Sequence, residues 1–145
     1  MKSGSLALIA AAAVSLAAVP AFAQTVVTGL QADLSATPEH FHGPCPGVIT
    51  FHGKVRVEGH YAPGATAEIG YQFTRSDGAM SENKYIETHH PGVYDITETW
   101  TLGGGPLQHF DGWEKFKAWP TSDAQNKTGT KWSNEAHFTL TCAPR

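Results

Sequence analysis

The sequence predicts an all-β domain of about seven short strands, and three observations carry the prediction. Apolar and polar residues alternate over short runs, the period of a half-buried strand. Gly, Pro, Asp and Asn interrupt the chain at intervals of about ten residues, as strand-to-strand turns do. No segment carries the 3.6-residue apolar repeat of an amphipathic helix, and no internal repeat or low-complexity tail is present.

The elements follow in order. Residues 26–36 form a first strand whose weak apolar signal marks it as a sheet edge. Residues 48–58 carry the clearest pattern: Ile49, Phe51, Val55 and Val57 share one face with Gly53, and Thr50, His52, Lys54 and Arg56 share the other. Ala67, Ile69, Tyr71 and Phe73 repeat the pattern in a third strand, closed by the turn Ser76-Asp77-Gly78. Residues 84–88 make a short fourth strand, and His90-Pro91-Gly92 turns the chain again. In the fifth, residues 93–102, Tyr94, Ile96, Trp100 and Leu102 face inward. Glu98 falls in that series, which requires either a bulge or a partnered carboxylate at the core margin.

Gly103-Gly104-Gly105-Pro106 can only be a loop. The sixth strand runs through Trp113, Phe116 and Ala118, whose spacing slips by one residue and predicts a second bulge. Residues 121–130 are polar and turn-rich, as an exposed loop is. The last strand is regular, with Ala136, Phe138, Leu140 and Cys142 inward and His137, Thr139 and Thr141 outward. Seven strands so spaced predict an antiparallel β-sandwich of immunoglobulin or fibronectin type, with a small barrel as the alternative.

Ahead of this domain, residues 1–23 read as a signal peptide. Lys2 supplies the positive start, residues 6–19 are apolar apart from Ser15, and Ala21-Phe22-Ala23 places cleavage before Gln24. The apolar run is 14 residues, short of the roughly 20 that span a bilayer, and no cysteine near the cleavage point offers a lipid anchor. The expected product, residues 24–145, is a periplasmic or extracellular bacterial protein. Loss of Lys2 leaves nine Lys and Arg against 13 Asp and Glu, a net charge of −4 that offers nucleic acid or an anionic membrane no attraction.

Cys45 and Cys142 are the only cysteines, an even number without C-x-x-C spacing in a chain bound for an oxidising compartment. Cys45 precedes the second strand and Cys142 ends the seventh. With strands alternating in direction, both reach the same pole of the sandwich, where a disulfide would pin them. The segments Cys45-Pro46-Gly47-Val48-Ile49-Thr50-Phe51-His52-Gly53, Tyr71-Gln72-Phe73-Thr74-Arg75-Ser76-Asp77-Gly78-Ala79, Thr99-Trp100-Thr101-Leu102 and Phe138-Thr139-Leu140-Thr141-Cys142 resemble those of small bacterial secreted immunoglobulin-like domains. The resemblance implies a sandwich closed by Cys45 and Cys142 and carries no catalytic residues. It does not account for the eight histidines.

The chain has no nucleophile elbow, zinc-protease helix, phosphate-binding loop or dinucleotide-binding glycine pattern, and an enzyme is not expected. Two functional readings remain. In the first, the domain is a non-catalytic binding or assembly module for a protein, a glycan or its own copies, with Trp119 and Trp132 as candidate contact residues. In the second, it handles zinc or copper weakly through His40, His42 and His109, with Asp111 nearby; otherwise no cofactor is expected. The i, i+2 spacing of His40 and His42 directs both to one side of an extended segment. A contiguous exposed aromatic patch would favour the first reading, and three converging histidines the second.

Overall fold

The computed structural model describes residues 25–121 and 128–144. The expected signal peptide, its cleavage point and most of the 121–130 loop lie outside the described residues. β1 (Val26–Thr37), β3 (Gly47–His60) and β6 (Gly92–Leu102) form one sheet in the order β1-β3-β6. β2 (His40–Gly43), β9 (Ala136–Cys142), β7 (His109–Pro120), β4 (Ala67–Arg75) and β5 (Lys84–Thr88) form the other in the order β2-β9-β7-β4-β5. β8 (Lys131–Trp132) joins the second sheet by pairing with β7 beyond the end of β9. The chain is therefore an all-β sandwich, as the alternation predicts.

β1 is an edge strand, paired among the described residues with β3 alone. The chain then crosses between sheets, and β2 runs parallel to β9, whereas every other strand pairing is antiparallel. Cis peptide bonds precede Pro38 and Pro46, on either side of β2. β5 pairs with β4 and not with β6. That division differs from a constant-type immunoglobulin domain, whose fourth strand belongs to the sheet of the first two.

The core fills the space between the sheets. Ile49, Phe51, Val55 and Val57 of β3 face Phe73, Phe116, Phe138 and Leu140 of the opposite sheet, and all are buried. Phe138 is the centre of an aromatic cluster: Phe51 meets it edge-on at 5.7 Å, Trp100 at 5.3 Å, and Phe110 lies tilted at 5.9 Å. Burial of each such side chain contributes on the order of 1.5–3 kcal/mol.

Of the two alternatives for Glu98 the partnered carboxylate is the one present, and the bulge expected in the sixth strand is absent. β6 keeps an unbroken register with β3, so Glu98 does face inward at the core margin, and Lys84 partners it at 2.6 Å. β7 is also unbroken against β4 and β9. Its inward series is Phe110, Gly112, Glu114, Phe116, Ala118 and Pro120, and its outward series is His109, Asp111, Trp113, Lys115, Lys117 and Trp119. The apparent slip arose because a carboxylate occupies an inward position and indoles occupy outward ones. Trp113 therefore belongs to the outer face and not to the core. Among the described residues, the ladders shift register only in β1, between Val27 and Gly29.

Cys45 and Cys142 are bonded, with Cα atoms 5.3 Å apart. Gly103 lies against the bridge: its φ is +92°, and a Cβ there would sit 2.7 Å from the Cys45 Sγ. Only glycine fits both the backbone conformation and the space.

Candidate binding face and buried carboxyl

The outer face of the larger sheet is built by register. Lys117 lies opposite Trp132 of β8 and Gln72 of β4, and Trp119 lies opposite Gly70, which in turn faces Tyr85 of β5. Trp132 and Tyr85 are about half exposed. Gly70 lets the Trp119 indole lie over the sheet, since a Cβ at that position would come within 2.5 Å of the ring.

Lysines alternate with the indoles. The Lys115 ammonium stands 5.0 Å from the Trp113 ring centre and 5.1 Å from that of Trp132. The Lys117 ammonium stands 5.6 Å from Trp119 and 5.8 Å from Trp132. The result is a ladder, Trp113-Lys115-Trp132-Lys117-Trp119, shared by two strands. Each cation–π contact at such half-buried surface positions contributes about 0.5–1 kcal/mol. The contacts also restrict the side chains before any ligand arrives. Trp119 and Trp132, singled out in the sequence, form one end and the middle of this ladder. Trp113 was missed because its spacing imitates a core residue.

His40, His42, His109 and His137 occupy the continuation of the same face. His40 Nδ1 lies 2.9 Å from Thr139 Oγ1, His109 Nδ1 lies 3.1 Å from Thr141 Oγ1, and His109 Nε2 lies 3.3 Å from Asp111 Oδ2. His40 and His42 share one side of β2 as their spacing predicts, and His109 lies on the same face of the sheet, close to the disulfide. His109 and Asp111 are residues of β7. Register keeps the set apart: His42 and His109 both flank Thr141, so β9 stands between them, two strand spacings or about 9.6 Å of backbone. Among the described residues, no group of three or more His, Cys, Asp and Glu side chains is placed to hold a metal ion. A shallow groove of about 290 Å³ bordered by His40, Asp111, Trp113, His137 and Thr139 joins this region to the aromatic ladder.

A second unusual group lies between the sheets. Glu114 is fully buried, and neither carboxyl oxygen has a hydrogen-bond partner. It lines a cavity of about 130 Å³ bordered by Phe73, Arg75, Met80, Ser81, Glu98 and Thr99. Burial first, then the Glu98 charge and more weakly that of Asp77, raise its carboxyl to about 7 against the opposing effect of Arg75 and Lys84. Those neighbouring charges are already engaged. Arg75 binds Asp77 at 2.7 Å and lies 4.4 Å over the Trp100 ring, and Lys84 holds Glu98. The Arg75 contact holds the Asp77 carboxyl below its ordinary value. Glu114 thus sits in an electrostatic surrounding that favours its neutral form.

No protein-family model matches the chain, and neither does any curated protein or solved structure.

Proposed function

We propose that the chain is an exported, non-catalytic binding module whose outer β7–β8 face receives a glycan. The observation that carries the reading is the solvent-facing ladder of three indoles and two lysines, half-buried apart from exposed Trp132 and extended by exposed Tyr85 across Gly70. Indole and phenol rings offer apolar area for the C–H faces of sugars and lose little conformational freedom in doing so. Gln72, Lys115 and Lys117 supply hydrogen-bonding groups among them. Export is supported by the leader-like N-terminus and by a disulfide of the kind that persists in oxidising compartments.

The test is retention of the oxidised protein on a panel of immobilised polysaccharides, followed by titration of the best oligosaccharide against Trp113→Ala, Trp119→Ala and Trp132→Ala. Each loss of a stacking ring is expected to weaken binding about tenfold, with the far-ultraviolet circular dichroism unchanged. A ligand that binds the triple variant as well as the native protein, or a panel on which nothing is retained, would overturn the reading.

A further inference from the structure

Resting on that reading, we infer that the glycan carries carboxylate groups and that Lys117 is the residue that recognises them. The cations elsewhere on the domain supply the comparison. Lys54, Arg75 and Lys84 each hold a carboxylate oxygen within 2.8 Å, while Arg56 and Lys131 have no such partner among the described residues but lack Lys117's place between two rings. Among the described residues, no carboxylate lies within ion-pair distance of Lys117. Lys115 reaches Glu135 only at 3.9 Å, and that carboxylate also faces His137 at 3.2 Å. The two indoles beside Lys117 position its ammonium without neutralising it, because a ring quadrupole attracts a cation but carries no net charge. An ordered, uncompensated cation in the middle of an aromatic platform is preorganised for an anion borne by a stacking ligand.

The surrounding charges also set a direction. Exposed Glu68 and Glu87 border the band at one end of the strands, and exposed Asp111 borders it at the other. A polyanion lying lengthwise along β7 would meet like charge at both ends. The crosswise course meets none of these three residues. It runs from Trp132 over Lys117 and Gln72, beside the row Trp119, Gly70 and Tyr85, to β5. Three strand spacings give this course a length of about 14 Å. The strand register therefore places Lys117 near one end of the path, flanked by rings.

The experiment compares oligogalacturonate with its fully methyl-esterified form, which keeps the sugar backbone and removes the charge. Both are titrated calorimetrically into the oxidised native protein, Lys117→Met and Trp132→Ala. Methionine keeps an apolar stem between the rings and preserves the fold. The acid form is expected to bind the native protein about tenfold more tightly than the ester, and to weaken as salt is added. Lys117→Met should bring the acid form to the level of the ester without affecting the ester, and Trp132→Ala should weaken both. If acid and ester bind alike, or if Lys117→Met weakens both equally, the carboxylate inference fails while the glycan-binding face stands. If neither binds the native protein while a neutral oligosaccharide from the panel does, the inference also fails alone. Tighter binding of single-stranded oligothymidylate than of oligogalacturonate would overturn the glycan assignment itself.

Discussion

Replacing Glu114 by Gln should alter the pH dependence of stability in a defined direction. The Glu114 carboxyl is raised from 4.5 to about 7 in the folded protein, so the native state holds this proton more tightly than the unfolded chain does. The associated stability is fully present below about pH 4.5 and is lost as pH rises through 7. At about 1.4 kcal/mol per unit, the shift corresponds to about 3 kcal/mol lost between pH 4 and pH 8.5. Gln is nearly isosteric, cannot ionise and lacks this dependence. Its amide also lacks partners in the cavity, a cost of about 1–3 kcal/mol that does not vary with pH. The difference between variant and native protein should therefore move by about 3 kcal/mol in favour of the variant across that range. The assay is urea unfolding of both oxidised proteins at several pH values. Taking the difference removes contributions from Asp77, Glu98, Arg75 and Lys84 insofar as the substitution leaves them in place. Parallel stability profiles would refute the argument and mean that Glu114 is solvated or paired.

Two further outcomes follow from packing and covalent structure. Replacing both Cys45 and Cys142 with Ala should lower stability by about 2–5 kcal/mol, measured by urea unfolding against the oxidised protein, because the bridge closes a separation of 97 residues. Gly70→Ala should displace the Trp119 indole, change the near-ultraviolet circular dichroism and weaken ligand binding, at a stability cost near the lower end of the overpacking range, about 1 kcal/mol.

The parts of this fold that were legible in the sequence are those where chemistry and orientation agree. β3 and β9 alternate cleanly because every inward position is apolar or Gly and every outward position of β9 is polar. β7 misleads because Glu114 points into the core and Trp113 and Trp119 point outward, so its chemical pattern runs partly against its geometry. β2 and β8 have four and two residues, too few for any periodicity to register. The bonded cysteines follow from counting and from strand direction. The ladder does not, because it exists only once β8 is aligned with β7, a contact between strands that sequence spacing does not encode. The histidine reading shows the same limit. Spacing of i and i+2 correctly gives His40 and His42 a common side, but it does not reveal that β9 intervenes before His109.

The position of the disulfide has a mechanical consequence. Cys45 and Cys142 enclose β3 to β9 in one covalent loop, with only β1 and β2 on the N-terminal side and Ala143 and Pro144 of the described chain beyond it. Tension applied between the ends of the chain passes through β1, β2 and the sulfur–sulfur bond, and bypasses the aromatic cluster around Phe138. Under load, β1 peels from β3 and β2 from β9, releasing the 20 residues from 25 to 44, roughly 70 Å when extended. The strands that carry Trp113, Trp119 and Trp132 lie inside the loop, and the hydrogen bonds that tie β1 to the segment after Trp132, between Leu34 and Asn134, part as β1 peels away. A molecule tethered at either end could thus lengthen while the strands that form the indole ladder keep their pairing.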